Sequence, residues 1–122
     1  MMTVLRVHPG KKPEVVEIEE GLKSLQKEVD GYIEVIYPFA DPVAVVLNEE
    51  GKIQGLPYNR ALRDEDGVSY DIIAGNFLIV GIGEDNICSL PQEYIAKYMK
   101  KYEHPEGFVR LGNSILVVEL DG

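Results

Sequence analysis

One short segment of the chain, NEEGKIQGLPYNR, gathers the side chains best suited to recognise a ligand. Tyr58 offers an aromatic surface, Asn59 an amide that donates and accepts, and Arg60 a guanidinium that pairs with carboxylates or phosphates. Gly55 allows a ligand or another backbone to approach closely. We expect these residues to form an outward-facing ligand- or partner-binding surface, joined by Asn76 if the hairpins stack. The alternative is that Asn59 caps a turn or helix while Tyr58 packs on the sheet.

Other groups of reactive side chains show weaker patterns. His8 and His104 lack a recognisable serine or cysteine partner. The carboxylate runs at 17–20 and 64–66 lack the spacing of a calcium loop. The segment 81–85, GIGED, follows a predicted strand as a phosphate loop would, but its acidic residues would repel phosphate. We therefore expect no catalytic residue, no metal site and no cofactor.

Size and charge narrow the class of protein. The chain has 122 residues, enough for one domain over 1–122, and its net charge is 12 − 21 = −9. A negative field repels phosphate backbones and anionic lipid, so direct nucleic-acid binding and membrane binding are not expected. Cys88 is the one cysteine, which rules out an internal disulfide and suits a reducing compartment. The start of the chain lacks the pattern of a secretory signal, and we expect a cytoplasmic protein.

Hydrophobic patterning predicts an α+β fold, a mainly antiparallel sheet of about six or seven strands with two helices on one face. A helix is expected over 20–29, ended by a left-handed glycine at Gly31. The turn before KIQGL is expected to place Gly51 at positive φ. Strands are predicted at 3–7, 14–19, 32–39, 42–48, 52–56, 70–82 and 114–120, with the AGN break in 70–82 being a tight turn or a bulge.

A second helix is predicted after residue 89. Ser89 and Gln92 match a capping box. Tyr94, Tyr98 and Tyr102 then recur every fourth residue and form an aromatic stripe. Packing on the sheet is one interpretation of this stripe, and a protein interface is the other.

The segments GLKSLQKEVDGYIEVIYP, VVLNEEGKIQGLPYNRAL and DIIAGNFLIVG resemble an uncharacterised bacterial and phage family, catalogued as a domain of unknown function, number 3846 in that series. The resemblance runs from about Thr3 to Tyr102, and its most specific part is NEEGK…GLPxNRAL. Members are small stand-alone proteins of bacteria, phages and integrated mobile elements, without agreed catalytic residues. The resemblance implies a stand-alone accessory protein and supplies no mechanism.

Three functional hypotheses follow. The first is a non-catalytic accessory binding protein of mobile-element type that occupies a host protein or a small signalling nucleotide, in a counter-defence role. One form of it uses the acidic surface to mimic nucleic acid. The second is an enzyme acting on a nucleotide or small phosphorylated metabolite, with Asn59 and Arg60 as binding residues. The third is a self-associating structural protein that uses the tyrosine helix or an open sheet edge. A homo-oligomer is also expected if a subunit boundary completes the pocket.

Overall fold

The computed structural model of the protein describes residues 1–120. Within this range lie ten strands and two helices. In chain order they are β1 (Met2–Val7), β2 (Glu14–Ile18), α1 (Leu22–Val29), β3 (Ile33–Ile36), β4 (Val43–Asn48), β5 (Tyr58–Arg63), β6 (Ser69–Ala74), β7 (Phe77–Ile82), β8 (Ile87–Cys88), α2 (Gln92–Lys101), β9 (Glu106–Leu111) and β10 (Ser114–Glu119).

The central sheet has six strands. Five of them run in the order β2-β1-β7-β4-β3, and the short strand β8 pairs with β7. Every pairing in this sheet is antiparallel. Two further hairpins, β5–β6 and β9–β10, form separate two-stranded sheets. The predicted α+β class and the mainly antiparallel sheet are confirmed.

The two helices cover opposite faces of the central sheet. Val43 and Val45 of β4 pack with α2 and with the β5–β6 hairpin, whereas Ala44 and Val46 pack with α1. The prediction that both helices share one face is therefore wrong. The physical reason is that β4 and β7 are apolar at successive positions, so both of their faces need a covering layer.

The segment 52–56 is a turn rather than the predicted strand, and the return strand β5 begins at Tyr58. Gly51 in this turn does not have positive φ, as had been expected. It is required for space instead, because a Cβ there would lie 2.5 Å from the carbonyl oxygen of Ala74. The AGN break is a turn between β6 and β7. At the C-terminus the last predicted strand pairs with a strand that the pattern did not predict, β9.

The end of α1 and the start of α2 also differ from expectation. Asp30, not Gly31, takes the left-handed conformation after α1, with φ 60°. The capping box is wrong, because the Ser89 hydroxyl accepts a hydrogen bond from the Thr3 N–H at 3.0 Å and α2 starts after Pro91. Tyr98 of α2 and Tyr102 directly after it are buried in the core, which supports the packing interpretation of the stripe.

Candidate functional site

Asn59 and Arg60, the polar centre of the predicted binding surface, are both buried. Asn59 Nδ2 donates to the carbonyl oxygens of Val7 at 2.9 Å and Gly75 at 2.8 Å. These bonds tie β5 to the end of β1 and to the turn before β7. The expectation that Asn59 projects outward is therefore wrong, since its amide completes backbone hydrogen bonds inside the fold.

Arg60 is 1% exposed, and its guanidinium binds the protein's own main chain. Nη1 donates to the carbonyl and side-chain oxygens of Asn59 at 3.2 and 2.9 Å, and Nη2 donates to the carbonyls of Lys11 at 2.6 Å and Tyr102 at 2.9 Å. Burial lowers the pKa of the Arg60 guanidinium, and the nearby Glu106 carboxylate opposes this shift. Arg60 thus links β5 to the β1–β2 turn and to the end of α2, and it does not project outward as expected.

The remaining predicted residues lie at three different places. Tyr58 is partly exposed and packs edge-on against Phe108, with ring centroids 5.4 Å apart. Gly55 is exposed with φ +71°, so it serves the turn through its backbone conformation. The Asn76 side-chain oxygen lies 2.8 Å from Nδ1 of His8. The structure therefore brings Asn59 and Arg60 together and places the Gly75–Asn76 turn against the Asn59 amide, while the Asn76 side chain binds His8. The binding role of these residues stays a prediction.

The turn that precedes β5 is held by a buried side chain. We call residues 49–57 the cleft loop. Asn48 Nδ2 donates to the carbonyl oxygen of Val29 at 3.0 Å and to Oε1 of Gln54 at 3.2 Å, and Asn48 Oδ1 accepts from the Glu50 N–H at 2.8 Å. Main-chain bonds close the loop further, including Leu56 N–H to the Gly51 oxygen at 3.0 Å. The loop is therefore a fixed wall rather than a loose connection.

This wall borders a cleft between the central sheet and the β5–β6 hairpin. The cleft has a volume of about 240 Å³. Leu47, Leu62 and Ile73 form its apolar part, and all three pack with the core. Ile53 lines it from the cleft loop and, at 84%, is the most exposed of the large apolar side chains in residues 1–120. We name this feature the acidic cleft because of the side chains at its rim.

Four carboxylates and one ammonium group line the acidic cleft, giving a formal charge of 1 − 4 = −3. The carboxylates belong to Glu34, Glu49, Glu50 and Asp71. Lys52 pairs with Asp71 across the rim, and both side chains are about half exposed. In the described part of the chain the other three carboxylates have no ion-pair partner within 4.0 Å. The rim is therefore a concentration of negative charge above an apolar floor.

A second depression, of about 300 Å³, adjoins the acidic cleft on the other side of the Lys52–Asp71 pair. Tyr58 and Tyr70 line it together with Asn113 from the C-terminal hairpin. We call it the tyrosine groove. Tyr58 is a residue of the predicted binding surface that borders this groove, whereas Arg60 lines neither the groove nor the cleft.

The described residues contain neither a metal-binding cluster nor a membrane-spanning helix. No group of three or more histidine, cysteine, aspartate or glutamate side chains in this range is arranged to hold a metal ion. None of the helices there is both long and apolar enough to cross a membrane.

Sequence reasoning missed the acidic cleft although it examined the segment that forms the wall. The sequence pattern predicts a turn at Glu49 and Glu50 and a strand at Ile53, and neither element indicates a cleft. The available signal was Ile53 itself, because an isoleucine in a polar turn packs in no strand and can instead form part of an exposed apolar surface. Glu34 and Asp71 are distant in sequence, and only the sheet pairing brings them to the same rim.

Comparisons with known proteins address the family. A family model described as domain of unknown function (DUF3846) matches residues 2–103, which include every element from β1 to α2. No curated protein and no solved structure matches the chain. The β9–β10 hairpin lies beyond the matched residues. Because the match covers most of the chain, this protein belongs to the DUF3846 family of domains of unknown function.

Proposed function

We propose that this protein is a non-catalytic accessory binding protein that occupies a partner protein, and that the partner inserts a basic side chain into the acidic cleft. The observation that carries the proposal is the combination of a 240 Å³ volume, an apolar floor and a rim charge of −3. An arginine or lysine side chain has the matching form, because its aliphatic stem packs on apolar surface while its charged head binds carboxylates.

The side chains of the acidic cleft suit this ligand in position as well as in type. Leu47 and Ile73 offer the stem an apolar surface, and Glu34 and Glu50 offer the head two carboxylates without ion-pair partners among the described residues. The exposed Ile53 adds an apolar contact for a neighbouring residue of the partner. A buried anchor surrounded by a polar rim is the usual anatomy of a protein interface.

The cleft favours a protein partner over a small signalling nucleotide. Small-molecule sites usually measure about 300–1,000 Å³, and the acidic cleft is smaller than that range. Its rim is negative, so a phosphorylated ligand would be repelled. The guanidinium of Arg60, which a phosphate would need, is buried and donates to main-chain oxygens.

The partner in this proposal is a host protein, as expected for an accessory protein of mobile-element type, and a counter-defence role belongs to the same proposal. The nucleic-acid mimic is the weaker form of it. Mimicry needs carboxylates aligned on one face. Here Glu17 and Glu34 lie on opposite edge strands of the central sheet, and a further group of carboxylates, 64–66, lies at the tip of the β5–β6 hairpin. A distribution of this kind is typical of surface charge that keeps a protein soluble.

The alternative hypothesis, an enzyme acting on a nucleotide or small phosphorylated metabolite, needs Arg60 in a pocket beside a buried acid. Glu106 provides a buried carboxylate, and Arg60 lies within its electrostatic reach. However, the Glu106 oxygens accept from the Ala61 N–H and from Arg63, both at 2.7 Å. The acid is engaged in the fold, which favours the binding proposal.

The cleft chemistry is tested by an NMR titration with acetyl-arginine amide, compared with acetyl-citrulline amide, its neutral isostere. We expect the arginine compound to shift the amide signals of 34–36, 49–53 and 71–74, and the citrulline compound to bind at least about tenfold more weakly. The double variant Glu34→Gln/Glu50→Gln removes two rim charges and is expected to abolish the difference. Glu93→Gln, an exposed acid on α2 outside the cleft, is the matched control and is expected to behave as the wild type.

The partner is then identified by photo-crosslinking. A photoreactive benzoylphenylalanine is introduced at Ile53, and at Val68 as a control that is also exposed but lies outside the cleft. We expect a discrete protein adduct from position 53. Excess unlabelled wild type should prevent its formation by competition, whereas excess Glu34→Gln/Glu50→Gln variant should not. Any of three results would overturn the proposal. These are equal NMR shifts with the arginine and citrulline compounds, adducts from Val68 that are as abundant as those from Ile53, and a phosphorylated small molecule retained in native mass spectrometry.

A further inference from the structure

The C-terminal hairpin carries an uncovered apolar face. In the β9–β10 register, Val109 lies opposite Leu116 and Gly107 opposite Val118, so these side chains point to the same side of the ribbon. We call this side the outer face. Five apolar side chains on it and just beyond it are between 41% and 57% exposed, namely Val109, Leu111, Leu116, Val118 and Leu120.

The other side of the hairpin is already occupied. Phe108 packs on Tyr58, and Glu106 accepts from the Ala61 N–H at 2.7 Å and pairs with Arg63. The charged side chains of the two strands, Glu106, Arg110 and Glu119, alternate onto this inner side. The outer face therefore contains no charged side chain.

We propose that a second copy of this chain covers the outer face, and that the protein is a twofold dimer through its β9–β10 hairpins. A symmetric interface of this type needs one self-complementary patch, and a strip of valine and leucine is complementary to itself. Each chain has a net charge of −9, which opposes contact between two copies, and this repulsion is smallest where the contacting surface carries no charge. The outer face is a surface that meets this condition.

The area available agrees with a dimer. The five residues expose on the order of 400 Å² in each copy, which is within the range of about 300–600 Å² found for the largest apolar patch on a protein surface, a patch that often has a function. Two copies would bury about 800 Å² from these residues, and the exposed residues at the border of the face, such as Asn113 and Ser114, would bring the total toward about 1,000 Å², the lower limit for a specific interface. The hairpin would also gain stability from such cover, because only its inner side is packed on the fold and β10 pairs with no strand except β9 in the described chain.

The dimer does not rest on the proposed partner binding, because the hairpin lies outside the acidic cleft and outside the residues that match the family. It also differs from self-association through the tyrosine helix, since Tyr98 and Tyr102 are buried. Variants of the cleft, such as Glu34→Gln/Glu50→Gln, are therefore expected to leave the dimer unchanged. The two proposals can fail separately.

Sedimentation velocity over a concentration series tests the dimer. We expect the wild type to reach twice the 13.6 kDa mass of the chain, and Leu116→Arg to raise the dissociation constant at least about tenfold. Leu22→Arg is the matched control, because Leu22 is 56% exposed on α1, away from the hairpin, and this variant is expected to dimerise as the wild type does. Circular dichroism reports whether each variant is folded.

A gentler variant keeps the test decisive if Leu116→Arg unfolds. Val109→Thr/Val118→Thr retains the β-branched shape that strands favour and removes apolar surface from the outer face. We expect it to remain folded and to weaken the dimer. A wild type that stays monomeric at about 100 μM, or a dimer unaffected by either outer-face variant, would overturn the proposal.

Discussion

Replacing Arg60 by alanine separates a structural arginine from a binding one. The guanidinium makes four hydrogen bonds, two with Asn59, one with the carbonyl of Lys11 and one with the carbonyl of Tyr102. Arg60→Ala leaves these oxygens without a donor and opens a cavity beside α2. Each buried acceptor that loses its partner costs about 1–3 kcal/mol, and water can replace the donor only at the exposed Lys11.

The expected loss is therefore about 3–5 kcal/mol in the free energy of unfolding, which corresponds to a decrease in Tm of about 10–20 °C for a domain of this size. Urea denaturation followed by circular dichroism measures the first quantity, and calorimetry measures the second. Arg110→Ala is the matched control, because Arg110 is exposed and has no ion-pair partner in the described chain, and it should cost less than about 0.5 kcal/mol.

Two further substitutions at the same position test the cause of the loss. Arg60→Lys keeps a positive charge but cannot span carbonyls on three segments, and Arg60→Met fills the volume without donating. Both should lie between the wild type and Arg60→Ala. If Arg60→Ala changes stability by less than about 1 kcal/mol, the carbonyls do not depend on the guanidinium, and the original expectation of an outward-facing Arg60 regains its support.

Three further predictions concern other parts of the fold. Gly51→Ala should cost more than about 2 kcal/mol in urea denaturation, because its Cβ would lie 2.5 Å from the Ala74 oxygen. Gly107→Ala, whose Cβ would make only ordinary contacts at 3.4 Å or more, should cost less. Hydrogen bonds from Lys97 and Tyr98 lower the pKa of Asp41, so the stabilisation by this carboxylate is present above about pH 4 and is lost as the pH falls further. The Tm difference between the wild type and Asp41→Asn should therefore shrink on acidification. A Tm difference that stays constant would contradict this prediction. Burial raises the pKa of both Tyr98 and Tyr102, and the hydrogen bond to Asp41 raises the pKa of Tyr98 further. In a spectrophotometric titration, these two of the seven tyrosines should therefore ionise only as the protein unfolds.

The sequence predicted the elements whose burial follows a simple period. The apolar run of β4 and the 3.6-residue pattern of α2 are both present near their predicted positions. The same run also contained the sign that both faces of the sheet are covered, because a strand with one wet face alternates and Val43–Val46 does not. The error was to give this strand a single covering layer.

The position of Arg60 could not be predicted from local pattern, since arginine in a strand is usually exposed. What buries it is a set of carbonyls that belong to other segments. Lys11 precedes it by 49 residues and Tyr102 follows by 42, and their oxygens come together only in the folded chain. The acidic cleft was missed for the same reason, because Glu34 and Asp71 reach one rim through strand pairing.

The two ends of the segment NEEGKIQGLPYNR are hydrogen-bonded to different parts of the fold, and together they hold the cleft loop in place. Asn59 and Arg60 fasten the start of β5 to β1 and α2, and Asn48 fastens the other end of the cleft loop to the end of α1. A loop held at both ends keeps Ile53 and the rim carboxylates in one arrangement, so a partner does not lose binding energy in ordering them. Variants at Arg60 should therefore weaken partner binding indirectly, in proportion to the loss of stability. Variants at Glu34 should weaken it without that loss, and this contrast identifies which residues contact the partner.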